Sequence, residues 1–175
     1  MYVTGAAESR RSLPGDLPPG APDDGRSLFE RILGSGLPDE ESYILWRGEH
    51  CFALLNAYPY GSGHLMVLPQ RAAAQLDELG AETSAELWAG VQLAVTAVRA
   101  AYRPDGVNVG INLGTAAGAG VPDHLHVHVL PRWAADSNFT TTISALRLAP
   151  EPFPVTLAKN NNALRRWPMS PSHVP

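Results

Sequence analysis

Apolar and polar positions follow two rhythms along this chain, and the change between them divides it. Short apolar runs lie at 43–46, 51–55 and 64–69, separated by Gly48-Glu49 and by Tyr58-Pro59-Tyr60-Gly61-Ser62-Gly63. Runs of this length between turn residues predict strands, the first two forming a hairpin about Gly48-Glu49. Ahead of them, Leu28 and Ile32 share one face of a short helix that begins near Ser27 and stops at Gly34-Ser35-Gly36. The rhythm then becomes helical: Leu87, Val91, Val95, Val98 and Tyr102 recur at three- to four-residue spacing before Pro104. Thr83-Ser84-Ala85-Glu86 has the Ser/Thr-x-x-Glu form of a capping box, predicting a helix over 83–103. A strand over 107–113, a Gly/Ala loop through Gly120 and an alternating strand from His124 complete the pattern. Strands, one long helix and strands again predict an α+β fold, an antiparallel sheet with the helix laid on it.

The ends read differently. Residues 1–26 are rich in Pro, Gly, Asp and Ser and predict a flexible N-terminal tail. The domain is expected over 27–150. Residues 151–175 begin with two prolines and contain Asn160-Asn161-Asn162, which predicts an irregular C-terminal extension.

Composition narrows the function classes. The net charge of −4 and charged fraction of 17% do not suit a nucleic acid polymer as partner, although a small anion can still bind at one positive site. No apolar run approaches the roughly 20 residues of a membrane span, and no secretory signal is evident at the N-terminus. A cytoplasmic protein without a membrane partner is expected. Cys51 is the single cysteine, which excludes an intrachain disulfide and a four-cysteine zinc site.

The chemistry concentrates in Asp123-His124-Leu125-His126-Val127-His128-Val129-Leu130-Pro131-Arg132-Trp133, which holds half of the six histidines. Side chains alternate along a strand, so His124, His126 and His128 would share one face while Leu125, Val127 and Val129 face the core. Neighbouring imidazoles would then stand roughly 7 Å apart. Three readings fit that row: a wet strand face, two ligands of a metal site completed from elsewhere, or nucleophilic catalysis by a neutral imidazole. The small-residue loop from Asn112 to Gly120 allows close backbone approach and suits an anion cradle. His64, after Gly63, adds a further imidazole at a strand start.

The pattern His-φ-His-φ-His-φ-φ, with φ apolar, resembles the histidine triad superfamily of nucleotide hydrolases and transferases. The stretch from Phe52 to Arg71 is similar to that family's nucleotide-binding hairpin, and Asn112 to Trp133 is similar to its loop and triad. Pro131-Arg132-Trp133 and Asp136-Ser137-Asn138-Phe139 most resemble the branch containing bacterial diadenosine tetraphosphate phosphorylases and fragile-histidine-triad hydrolases. The resemblance implies that His126 attacks an α-phosphorus, that His128 contacts phosphate and serves the leaving group, and that His124 orients the array. It implies that Asn112 and the backbone of Gly118, Ala119 and Gly120 hold phosphate oxygens, that Asn56 contacts ribose, that Phe52 and Leu54 wall the base, and that His64 buttresses the site. It also implies a two-fold homodimer with a continuous sheet, for which Val91, Val95 and Val98 are the expected helix face.

Two departures from the family bear on chemistry. Many bacterial members hold a structural zinc with Cys-x-x-Cys, a further His and the first triad His. The matching positions here are Ser27, Glu30 and Ala72, so neither zinc nor another cofactor is expected. Ala119 and Gly120 stand where the phosphorylases carry a hydroxyl residue, which favours hydrolysis or transfer to another acceptor. The alternatives are a nucleotide-binding module without turnover, a His-ligated metalloenzyme, and a biosynthetic member of the family with another leaving group.

Overall fold

The computed structural model describes residues 24–134, 136 and 151–164. Most of the expected N-terminal tail, Ser137-Asn138-Phe139 and the end of the C-terminal extension lie outside the described residues. In chain order the elements are α1 (Leu28–Leu33), α2 (Asp39–Ser42), β1 (Ile44–Arg47), β2 (Cys51–Leu55), β3 (Leu65–Pro69), α3 (Ala81–Tyr102), β4 (Gly106–Ile111), β5 (Val127–Arg132) and α4 (Phe153–Leu164). The five strands form one sheet in the order β1-β2-β3-β5-β4, every neighbouring pair antiparallel. This is the expected α+β architecture.

Strands β2 and β3 are buried at every residue, because both faces of the sheet centre are covered. Cys51, Ala53, Leu55, Leu65, Val67, Val127 and Val129 meet Leu87, Val91, Ala94 and Val98 of α3. On the opposite face Phe52, Leu54, Met66 and Leu68 meet Phe29 and Ile32 of α1. Two-sided burial explains why these strands read as unbroken apolar runs. It also corrects one expectation. Val91 and Val98 are spent on the intrachain core and cannot also face a second subunit.

The expected capping box at Thr83–Glu86 does not form. The long helix starts earlier, with Gly80 as its N-cap. The Glu86 carboxylate instead accepts the backbone N–H groups of Glu49 and His50, each at 2.8 Å, and so ties the β1–β2 turn to the helix. A capping box of the same Ser-x-x-Glu form closes on α1: Ser27 Oγ accepts the Glu30 N–H at 3.2 Å and Glu30 accepts the Ser27 N–H at 2.9 Å. Pattern alone could not choose between the two, since a cap also needs the residue before the helix to be extended.

The C-terminal extension is a second correction. Residues 153–164 are helical, with Phe153 stacked on Tyr43 at 4.9 Å between centroids. Pro154 falls in the first turn, where a missing N–H costs nothing. Asn160 is buried, and its Nδ2 donates to the Thr156 carbonyl one turn back at 2.9 Å. Glu151 links this helix to the rest of the chain: it accepts from Tyr102 Oη and Lys159 Nζ at 2.6 Å each, and its N–H donates to Ser62 Oγ at 2.9 Å. Burial first, then the Glu151 carboxylate, raises the Tyr102 pKa.

Gly63 is where the turn before β3 most needs glycine. Its φ is +78°, and a Cβ would lie 2.8 Å from the Tyr102 ring and 3.0 Å from Pro131. Gly63→Ala combines left-handed strain of about 1–2 kcal/mol with that crowding, so the expected loss is about 2 kcal/mol or more. Urea denaturation checks this: the midpoint should fall with an unchanged slope, and an unchanged midpoint would contradict the packing described.

Candidate active site

The β3–β5 pairing brings together histidines far apart in the chain. Met66 lies opposite His128 and Leu65 opposite Val129, so His64, one residue before β3, comes alongside His128. His64 Nε2 and His128 Nδ1 are 2.9 Å apart. The expected row of three on one strand is only partly right, for β5 begins at Val127 and His124 and His126 lie in the segment before it. Leu125, Val127 and Val129 do face the core. The histidines are not a wet face either: His124 is 0% and His126 5% exposed. Helix α1 covers them, with the Phe29 ring edge-on to His124 at 5.4 Å and to His126 at 5.3 Å.

Partner chemistry assigns the protons. A carbonyl oxygen can only accept, so a ring nitrogen bonded to one must carry hydrogen. His126 Nδ1 therefore donates to the His124 carbonyl at 2.9 Å, leaving its Nε2 with a lone pair. His124 Nε2 donates to the Pro69 carbonyl at 2.8 Å, and its Nδ1 accepts from Ser27 Oγ at 2.5 Å. A third chain starts at the Tyr60 N–H, which donates to His64 Nδ1 at 3.1 Å. His64 Nε2–H then donates to His128 Nδ1, and the remaining hydrogen of neutral His128 sits on Nε2. That Nε2 is buried and has no partner among the described residues. The site thus presents a bare Nε2 on His126 and an N–H on His128 Nε2 that has no partner among the described residues, with the two rings 4.9 Å apart.

The electrostatics keep these rings neutral. Burial pushes the His128 pKa down to about 4, with repulsion from His126 adding to it. Burial, then His128 and His126, lowers His64 to about 3. For His126 burial outweighs the bond to the His124 carbonyl, and the pKa falls. His124 is lowered too: burial outweighs the support of the Pro69 carbonyl and of the Glu30 and Asp123 carboxylates.

The other expected residues are placed less uniformly. Asn56 is half-buried at the end of β2; its N–H donates to the His64 carbonyl at 3.1 Å, and its Oδ1 accepts the Tyr58 N–H at 2.9 Å. In the 112–120 loop, Gly118 has φ +97°, and a Cβ there would meet Asn112 Nδ2 at 3.9 Å. The Gly118 and Ala119 N–H groups are spent inside the loop, donating to the carbonyls of Thr115 and Gly114 at 3.0 and 3.2 Å. Of the three amides expected to form a cradle, only that of Gly120 lacks an acceptor among the described residues. Phe52 and Leu54 are also corrected: they are core residues beneath α1, with almost no surface to offer a base. Tyr60 was not anticipated. Its backbone sets the His64 tautomer, and its half-exposed ring lies 4.8 Å from His64 and 5.8 Å from His128. Neither Tyr60 nor Phe29 has a signal in sequence, because both act through tertiary contact.

Residues 38–135, more than half of the chain and including all three histidines, match the HIT domain. The chain belongs to the histidine triad family. It is 48% identical over 115 residues to the AP-4-A phosphorylase of Mycobacterium tuberculosis (strain H37Rv), a match covering 66% of this chain and 59% of that protein. It is 34% identical over 95 residues to the asymmetrical bis(5'-nucleosyl)-tetraphosphatase of Schizosaccharomyces pombe, covering 54% of this chain and 52% of that one. The chain therefore spans little more than half the length of these curated relatives. Among solved structures it resembles a zinc-bound histidine triad family protein from Mycobacterium smegmatis, with TM-score 0.65 and 27% identity over 80% of this chain and 94% of that one. Among the described residues of this family member, no helix is long and apolar enough to cross a membrane.

The depressed histidine pKa values dictate a pH dependence. In the unfolded chain these rings bind protons near pH 6.5, whereas in the folded chain His128 does so only near 4 and His64 near 3. Between those limits the unfolded state holds more protons, so stability falls as pH drops. Above about pH 7 the histidine contribution should be flat. Urea midpoints across this range test the sign, and the acid slope should be shallower in His128→Gln.

Proposed function

We propose that the chain is a nucleotidyl hydrolase or transferase acting on a dinucleoside polyphosphate or other adenylylated substrate through a covalent nucleotidyl-histidine. The observation that carries this reading is the His126 Nδ1 hydrogen bond to the His124 carbonyl, which leaves Nε2 as a free nucleophile. The lone pair of Nε2 attacks the α-phosphorus, and the bond from phosphorus to the leaving oxygen breaks. The attacking ring keeps its Nδ1 hydrogen and gains positive charge, while the leaving polyphosphate takes the electron pair. His128 Nε2–H hydrogen-bonds the departing oxygen as that charge gathers. Stabilisation is greatest where donors are already aimed at developing charge. A more basic leaving group needs a proton outright, and a ring with pKa about 4 is rarely cationic at neutral pH. Polyphosphates, which leave as anions, are accordingly the favoured class.

Asn112 and the Gly120 N–H hold phosphate oxygens, Asn56 holds the ribose, and His64 keeps His128 in its donor form. The acceptor is water or inorganic phosphate. Similarity to the M. tuberculosis phosphorylase supports phosphate, whereas Ala119 and Gly120 in place of a hydroxyl residue support water. With diadenosine tetraphosphate the products separate the two: water gives AMP with ATP, and phosphate gives ADP with ATP. The reading extends to a cytoplasmic homodimer. β4 is an edge strand with Asn108, Val109 and Gly110 exposed, and a second copy pairing there would continue the sheet.

His126→Ala should lower turnover by roughly a thousandfold or more while mononucleotide binding persists. A quenched wild-type reaction, digested and weighed peptide by peptide, should carry a nucleotidyl adduct on His126 that the variant lacks. Full activity in His126→Ala would sink the mechanism. His128→Ala should cost less on polyphosphates than on substrates with basic leaving groups, and Asn56→Ala should chiefly raise KM. Light scattering should give twice the chain mass, and a charged residue at Val109 should shift that toward the monomer.

A further inference from the structure

The zinc ligands found in relatives of this chain do not fit here. At the matching positions only Glu30 could join His124 as a ligand, and both are already engaged. Glu30 Oε2 accepts the Ser27 N–H at 2.9 Å, its Oε1 accepts the Ala72 N–H at 3.1 Å, and His124 Nδ1 is bonded to Ser27 Oγ at 2.5 Å. Two donors fall short of the four a structural zinc needs. Among the described residues no cluster of His, Cys, Asp or Glu could hold a metal ion.

We propose that Ser27 is a positioning residue for the triad, its hydroxyl forming a hydrogen-bond latch that does the work of a structural metal. The latch joins three segments. Ser27 Oγ accepts the Glu30 N–H on α1 and donates its hydrogen to His124 Nδ1. His124 Nε2–H holds the Pro69 carbonyl at the end of β3, and Glu30 holds the Ala72 N–H just beyond it. The same His124 residue offers the carbonyl that sets the His126 tautomer. Ser27 and His124 are both buried, so no water takes over either role without rearrangement. Partial burial opposes charge on Glu30, but the Ser27 and Ala72 N–H groups and the nearby Arg71 outweigh it and hold its pKa low. Losing the Ser27 hydroxyl leaves a buried Nδ1 acceptor unpaired and frees the His124 backbone to shift. The nucleophile then loses alignment rather than affinity for its substrate.

The proposal deepens the proposed reaction, and its test separates the two. In full-length protein, ¹⁵N NMR of the histidine rings should show His124 protonated at Nε2 and bare at Nδ1, with His126 the reverse. In Ser27→Ala the His124 Nδ1 resonance should move to that of an imidazole nitrogen without a hydrogen bond. On diadenosine tetraphosphate, Ser27→Ala should lower kcat about tenfold or more with KM changed by less than about twofold, since small misplacements of a reacting group act on the chemical step. Ser27→Thr, which keeps the hydroxyl, should restore most of the loss. The wild type should hold no stoichiometric zinc and should melt at the same temperature in chelator. A proton on His124 Nδ1, one zinc per wild-type chain, or an unchanged kcat in Ser27→Ala would each overturn the latch. A matched fall in kcat and melting temperature that Ser27→Thr does not repair would reduce Ser27 to a structural cap. If the wild type does not cleave the substrate, the proposed reaction fails, while the NMR and zinc measurements still decide the latch.

Discussion

The hydrogen bond from His126 Nδ1 to the His124 carbonyl orders the chemistry of this chain. Because the oxygen can only accept, the ring hydrogen must lie on Nδ1 and the lone pair on Nε2. Everything around it serves that bond. Pro69 and Ser27 hold His124 from either side of its ring, and β5 pairing sets the backbone that follows. On the other flank the Tyr60 N–H and His64 give His128 the opposite tautomer, with hydrogen on Nε2. Two imidazoles two residues apart are thus made chemically unlike, one with a lone pair on Nε2 and the other with hydrogen there.

Burial is the second condition, and it works with the first. An imidazole in water is partly cationic near neutral pH and useless as a nucleophile in that form. Phe29 and the sheet exclude water from His124 and His126, and neutrality follows from desolvation. The same burial makes every ring nitrogen costly to leave unpaired. It is therefore informative that His128 Nε2 is buried without a partner among the described residues while both ring nitrogens of His64 and of His124 are paired. A substrate oxygen is the partner that the reaction would supply.

The fold supplies these conditions by covering the sheet on both faces. Helix α3 packs on the face carrying Val127 and Val129, and α1 on the face carrying the histidines. Helix α1 is only six residues long, too short to be stable through propensity alone. Its capping box, its two buried apolar residues and the Ser27–His124 bond fasten it in place. The link from Ser62 through Glu151 to α4 anchors the turn that carries Tyr60 in a similar way.

Much of this was legible in the residues. The apolar runs gave the strands, the spacing of Leu87, Val91, Val95 and Val98 gave the long helix, and three alternating histidines pointed to the family and to the site. These signals are local, since periodicity and motif spacing depend on neighbours in the chain. What the residues could not reveal depends on partners far away: which Ser-x-x-Glu caps a helix, whether Val91 faces the sheet or another subunit, and that a run with two prolines and three asparagines is helical. The same holds for the protons. His64 and His128 are 64 residues apart, and Ser27 and His124 are 97. The chain by itself determined which imidazoles are present and how they alternate. Only the tertiary structure decided which nitrogen of each carries hydrogen, because a tautomer is set by the partner across the bond.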